Sequence, residues 1–426
     1  MYITLSDRGA ASKQSDTARV ATRVSSTVVA MGVVSMFTDI SSESVAAVLP
    51  LYITAAMGMS TIAYGFIDGL YQGVSAVVRI GGGWAADRSD QPKWVAFFGY
   101  GISALARIWL LFATGFGAVT SVIAIDRIGK GIRTAPRDAL ISASSRPDNL
   151  GRSFGVHRML DTIGAAIGPL LAFLILWILP NGYRAIFVLS LAFAVIGVLI
   201  LGVIVRNGHP AREAGRRPVR RIWSVKDLRL PGMPRLLVAT AALGLITVGD
   251  GFIYLVLQAR SAFAAEWFPL LYVGTNIVFL ALAIPLGRWA DRVGRGRVFI
   301  LGHCALFAVY LITTIPVGGV SVTLICLALL GAFYAATDGV LSALTAQLTP
   351  PEGTASGIAA TQTVTAVARL VASTGFGVLW FTVGREHAIE LVAGLAVIAV
   401  VASICLLRPM LGVLRREVAL PAGLDE

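Results

Sequence analysis

The chain has 426 residues, 56% of them hydrophobic and 14% charged, with a mean hydropathy of +0.79 and a formal net charge of +12. Ordinary soluble domains carry about 25% charged residues, so this chain has too little polar surface to face water and lipid must be its solvent. The basic residues sit in short connections rather than on a folded surface. That argues against a nucleic-acid partner and fits the charge bias of cytoplasmic loops in polytopic membrane proteins.

The N-terminal stretch is polar through Ser26 and has no cleavable signal pattern, so the first span is expected to act as an uncleaved insertion signal. Hydrophobic windows predict spans 1–6 at 28–52, 61–84, 94–113, 118–143, 153–178 and 185–206. Spans 7–12 follow at 236–259, 267–288, 298–315, 319–343, 355–380 and 388–409. Within span 6, Ala185–Val205 runs 21 residues without a charge, enough at about 1.5 Å per residue to cross a hydrocarbon core of about 30 Å. All tryptophans but Trp223 fall near a predicted span end, where interfacial anchors belong.

The connection 206–235 holds nine Lys/Arg against two acidic residues, and 289–297 adds Arg292, Arg295 and Arg297. Connections near 56–60, 114–117 and 314–318 hold no basic residue. Both termini are therefore expected in the cytoplasm, with the chain passing many times through the cytoplasmic (inner) membrane. The expected fold is all-α, twelve transmembrane helices in two pseudo-symmetric six-helix bundles. Residues 1–206 form the first bundle, 207–235 an Arg-rich cytoplasmic linker, and 236–426 the second bundle. Cys304, Cys326 and Cys405 each lie in an apolar run, with no disulfide framework or zinc spacing.

The two halves repeat one another. Gly83-Trp84-Ala85-Ala86-Asp87-Arg88 after span 2 answers Gly287-Arg288-Trp289-Ala290-Asp291-Arg292 after span 8, at an offset of 204. Asp138 with Ser142 answers Asp338 with Ser342 at an offset of 200, and Gly151 with Gly155 answers Gly353 with Gly357 at 202. Two such halves rocking about a midplane site is the architecture of alternating-access carriers.

On these residues the chain resembles the major facilitator superfamily, whose loop motif reads G-x-x-x-D-R-x-G-R-R/K. The first copy has Gly83, Asp87 and Arg88 but then departs from the pattern; the second has Gly287, Asp291, Arg292, Gly294, Arg295 and Arg297. The resemblance implies a conformational latch at Gly83, Asp87, Arg88, Gly287, Asp291 and Arg292, with the aspartate meeting a helix N-terminus. Two further strings resemble motifs of proton antiporters in the same superfamily. Arg127-Ile128-Gly129-Lys130-Gly131 stands for R-x-x-Q-G, with Lys for the usual Gln. Gly164, Gly168 and Pro169 match the start of an exporter motif in span 5, and small residues four apart let helices approach closely.

Charges at bilayer depth cost about 2.5–3.5 kcal/mol each on insertion scales and need partners or water. Spans 1, 4, 7 and 10 hold ten of them, and these spans line the cavity in the fold the resemblance implies. On span 4, Asp126, Arg127, Lys130, Arg133, Arg137 and Asp138 fall within an arc of about 140°, a polar face expected to line a wet cavity. Arg79, Arg137, Asp138 and Arg158 lie near the interface, where snorkelling satisfies them. The expected substrate and proton pathway is Asp39, Glu43, Arg127, Lys130, Arg133, His157, Asp161, Asp250, Asp338 and Arg369. A carboxylate beside a cation or His can exchange a proton for substrate as its surroundings change.

The expected activity is secondary transport by a monomer, proton-coupled export of a small cationic, metal-like or drug-like solute. The cationic stripe of span 4 with Arg369 leaves an anionic metabolite open, and a non-transporting membrane sensor is the remote alternative. There is no Walker A pattern, H-E-x-x-H or nucleophile elbow, so no enzyme, cofactor or metal site is assigned.

Overall fold

A computed structural model of the chain describes residues 24–89, 91–145, 149–205, 230–350 and 353–411. Most of the expected Arg-rich linker lies outside them, as do the side chains of Gly83, Asp87 and Arg88. Among the described residues every regular element is helical.

Twelve crossings appear in the expected order. The first six are α1 (Ser26–Ala46), α2 (Thr61–Ser89), α3 (Pro92–Leu110), α4 (Gly115–Ala143), α5 (Leu150–Ile178) and α6 (Tyr183–Val203). The second six begin with α7, broken into Met233–Leu245 and Asp250–Ser261. They continue with α8 (Phe268–Val293), α9 (Arg295–Thr314), α10 (Val320–Leu348), α11 (Thr354–Val383) and α12 (Arg385–Leu411). Nine of these crossings are long and apolar enough to span a membrane on their own. The others, α2, α3 and α4, carry Asp68, Arg79, Arg107 and the charges of α4, so their insertion depends on partners inside the bundle.

Glycines set the tightest connections. Gly294 (φ 110°) alone joins α8 to α9, and Gly384 (φ 85°) alone joins α11 to α12. Both adopt the left-handed region, which costs glycine nothing. The Gly164/Gly168 pair brings α5 onto α1. A Cβ on Gly168 would lie 2.8 Å from the Ser44 nitrogen and 2.9 Å from the Ile40 carbonyl oxygen. The close approach expected of small residues four apart is present.

The break in α7 follows from Gly244-Leu245-Ile246-Thr247-Val248-Gly249, where two glycines flank a β-branched run. A break inside a bilayer leaves backbone groups without partners. Tyr310 of α9 supplies both. Its hydroxyl donates to the Ile246 carbonyl (2.7 Å) and accepts from the Val248 N–H (3.0 Å).

The rim is apolar. Leu199 and Val203 of α6 and Ile398 of α12 are all more than half exposed. Trp94, Trp109, Trp177, Trp267 and Trp289 are exposed near helix ends, as anchors at a membrane interface are.

Candidate functional site

The interior charges form two unlike groups. In the first half they interlock. Arg107 of α3 reaches Asp126 of α4 at 3.1 Å, and Arg127 binds the other oxygen of Asp126 through Nε at 2.9 Å and also through Nη2. All three side chains are at most 2% exposed. Arg127 also lies over the Tyr71 ring at 3.9 Å, and Arg133 over Tyr100 at 4.4 Å.

This corrects, for three of its six charges, the expectation that the polar face of span 4 lines a wet cavity; Lys130, Arg137 and Asp138 stay half-buried. Asp126, Arg127 and Arg133 are buried between α2 and α3 instead. The reason is the glycines on the same helix. A Cβ on Gly129 would lie 2.6 Å from the Gly99 carbonyl oxygen, and one on Gly131 2.7 Å from the Val78 Cβ. Backbones that close leave little room for water, so Asp126 is met by Arg107 and Arg127, while Arg107 Nε and Nη1 and Arg133 Nη1 have no hydrogen-bond partner among the described residues.

Beside this cluster, Asp39 and Glu43 lie one turn apart on α1 and act electrostatically on Lys130 of α4. Asp39 meets Asp161 of α5 carboxyl to carboxyl, within hydrogen-bonding reach. Arg137 (3.9 Å) and Arg158 (3.5 Å) approach the two oxygens of Asp161, one each. His157, 3% exposed on the turn before Asp161, has no partner for either ring nitrogen.

The second half holds a cavity of about 730 Å³. Its walls include Thr240, Phe279, Phe299, His303, Asp338 and Arg369, and Asp291 and Arg295 lie among its lining, so it reaches the face where α8 turns into α9. Arg158 of the first half, with its side chain largely exposed, lines it too. Among the described residues Arg369 approaches no carboxylate as an ion pair; its guanidinium lies 5.7 Å from the Tyr334 ring and 6.0 Å from Phe333. Asp250, at the N-terminus of the second segment of α7, accepts from the Tyr334 hydroxyl at 2.8 and 2.9 Å.

Toward the opposite face the halves are shut. Thr61 of α2 donates to the Gly377 carbonyl of α11 at 3.0 Å, and Ser373 of α11 donates to Asp68 at 2.6 Å. Phe252 packs against Tyr64, Phe376 and Trp380, and Phe173 against Trp267. The Asp68 carboxylate sits where a side chain on Gly249 would stand, at the start of the second segment of α7. A helix N-terminus favours negative charge there.

Of the residues expected from the sequence, Asp39, Glu43, Lys130 and Asp161 come together, with His157 alongside, and Asp338 and Arg369 share the cavity. Arg127 and Arg133 belong to the buried cluster. Asp291 pairs with Arg295 at 2.8 Å and remains exposed, Arg292 is exposed, and Gly287 lines the cavity. Among the described residues no three His, Cys, Asp or Glu side chains are grouped as a metal site. The sequence reasoning missed Asp68, Tyr334 and His303. A Tyr or His within an apolar helix carries no signal until its neighbours are known.

The comparisons with known proteins agree with this architecture. A family profile described as Major Facilitator Superfamily matches residues 31–373. An uncharacterised MFS-type transporter of Methanocaldococcus jannaschii is 28% identical over 364 residues, covering 84% of this chain and 89% of that protein. Multidrug resistance protein MdtH of Photorhabdus laumondii is 23% identical over 348 residues, 78% of this chain and 82% of that one. Among solved structures, the nucleoside transporter NupG superposes with a TM-score of 0.75 at 14% identity, covering 90% and 99% of the two chains. The peptide transporter POT gives 0.74 at 15%, covering 92% and 96%. Twelve crossings, a repeated loop motif and a profile match over most of the length lead to one assignment: the chain is a multi-pass membrane transporter belonging to the major facilitator superfamily.

Proposed function

We propose that the protein is a proton-coupled antiporter that exports small solutes bearing a cationic group across the cytoplasmic membrane, as a monomer. The basic connections favour a cytoplasmic position for the face where α8 turns into α9 and for both termini. The two six-helix halves, 1–206 and 236–426, then rock about the cavity, which opens inward in this conformation.

One arrangement supports the coupling: the Asp39 and Asp161 carboxyl groups lie within hydrogen-bonding reach. Two carboxylates at contact repel, so the pair holds a proton between them. The groups that face the pair are Glu43 on α1, Lys130 and Arg137 on α4, and His157 and Arg158 on α5. Motion of α1 against α4 and α5 changes the balance between these cations and the second carboxylate. The proton is held in one state and released in the other.

Export is supported by the relative whose printed name is a multidrug resistance protein. An anionic metabolite held by the span 4 cations with Arg369 is the second reading, favoured less because Asp126 engages Arg127 and Arg133 lies over Tyr100.

The test uses proteoliposomes with an imposed pH difference and a panel of lipophilic cations, amphoteric solutes and divalent metals. Asp39→Asn and Asp161→Asn should each abolish accumulation driven by the pH difference while solute exchange continues. Asp250→Asn should be milder. Vesicles of both carboxamide variants that still concentrate solute against its gradient would remove the pair from the coupling mechanism.

A further inference from the structure

The cavity of the second half is lined by two charges, an exposed Asp338 and a half-buried Arg369, that do not use one another. Asp338 of α10 and Arg369 of α11 both line it and sense each other electrostatically, yet no ion pair within 4.0 Å joins them. The Asp338 carboxylate makes no hydrogen bond or salt bridge to another described side chain; only its backbone carbonyl accepts, from Ser342. Arg369 has an unpartnered Nε and rests against the rings of Phe333 and Tyr334. Asp250, the other nearby carboxylate, is occupied by the Tyr334 hydroxyl.

Opposite charges inside a membrane protein gain by pairing, because each is costly alone at bilayer depth. Lining one cavity of about 730 Å³ without forming an ion pair, they form a site with one positive and one negative pole. A purely cationic solute would meet Asp338 but be repelled by Arg369, and a purely anionic one the reverse. A solute carrying both charges satisfies both.

From this geometry we propose that the cavity binds a zwitterionic organic solute, with its carboxylate or similar planar anion on Arg369 and its ammonium on Asp338. The inference rests on the reading of the chain as a carrier that uses this cavity, and it narrows the cationic class to amphoteric molecules. A guanidinium suits the anionic pole because its planar fork meets two oxygens at once. Two further groups add polar contacts. The Thr240 hydroxyl is 2% exposed and unpartnered, and His303 spends its Nδ1–H on the Phe299 carbonyl at 2.9 Å, which leaves Nε2 as an acceptor. Phe279 and Phe299 give the solute's hydrocarbon part an apolar wall.

The experiment is a binding measurement on the purified full-length protein in detergent, with no gradient. Six probes share two scaffolds: phenylalanine and leucine, their carboxamides (cations) and their N-acetyl derivatives (anions). Thermal stabilisation is followed against probe concentration. On at least one scaffold the zwitterion should half-saturate at a concentration about tenfold lower than either single-charge analogue. Arg369→Gln should erase its advantage over the carboxamide without weakening the carboxamide, and Asp338→Asn should erase its advantage over the N-acetyl form. Arg369→Lys serves if the glutamine variant does not fold, and should lose part of the preference. Carboxamides binding as well as zwitterions, a preference unchanged in Asp338→Asn and Arg369→Lys, or no response to any probe would each overturn the proposal. Asp39→Asn should retain the full zwitterion preference, so a failure of proton coupling and a failure of this site read out separately.

Discussion

The interiors of the two halves solve the problem of buried charge in opposite ways. In the first half, acids and bases are dense and interlocked: Asp126 is gripped by Arg107 and Arg127, and Asp161 touches Asp39 while Arg137 and Arg158 approach it. In the second half, charges are few, with Arg369 resting on aromatic rings and Asp338 facing the cavity. The first arrangement engages its buried acid, Asp126, fully with Arg107 and Arg127. The second leaves two poles unsatisfied. Charge density along a sequence is therefore a poor guide to where a solute binds; what matters is whether the charges have already spent themselves on one another.

The largest effect that would test this contrast is on stability. Asp126→Asn leaves Arg107 and Arg127 buried without their counter-charge, which costs about 3–5 kcal/mol when one partner of a buried pair is removed. It should lower the melting temperature in detergent sharply. Asp338→Asn, on the cavity wall, should leave melting nearly unchanged while weakening zwitterion binding. Equal melting of the two variants would erase the distinction between the halves.

A smaller effect is expected at the break in α7. Tyr310→Phe removes the donor to Ile246 and the acceptor for the Val248 N–H. Buried backbone groups left unpaired cost about 1–3 kcal/mol. The variant should melt earlier than wild type by less than Asp126→Asn, and hydrogen exchange should rise at 246–249. Unchanged exchange there would mean that the break is held by something other than Tyr310.

The smallest effect on binding is expected at the loop motif. If Asp87 caps the start of α11 in the outward-open state, Asp87→Asn shifts a conformational equilibrium and leaves the cavity intact. Turnover in vesicles should fall several-fold while zwitterion half-saturation in detergent stays within about twofold. Normal turnover with lost binding would assign Asp87 a role in the cavity instead.

Much of the fold was legible because a bilayer imposes length and apolarity on each crossing independently. Ala185–Val205 reads as a span without knowledge of any neighbour, and the structure has α6 at Tyr183–Val203. Gly164 and Gly168 announced a close helix contact, which α1 makes. The charged face of α4 was legible as a face, but its surroundings were not. Whether Asp126 and Arg127 meet water or Arg107 depends on how near α3 comes, and that depends on Gly99 facing Gly129 across the interface.

The amino-acid sequence by itself determined the twelve crossings, the internal repeat and the kinds of charge placed at bilayer depth, since hydropathy and periodicity act along one chain. Only the tertiary structure decided which of those charges meet. Asp39 and Asp161 sit on helices distant in sequence that glycines draw together, and Asp338 and Arg369 sit on neighbouring helices and line one cavity without forming an ion pair. Pairing is a matter of a few ångströms between helices. That separation is set by the side chains of both, so neither stretch of sequence carries it alone.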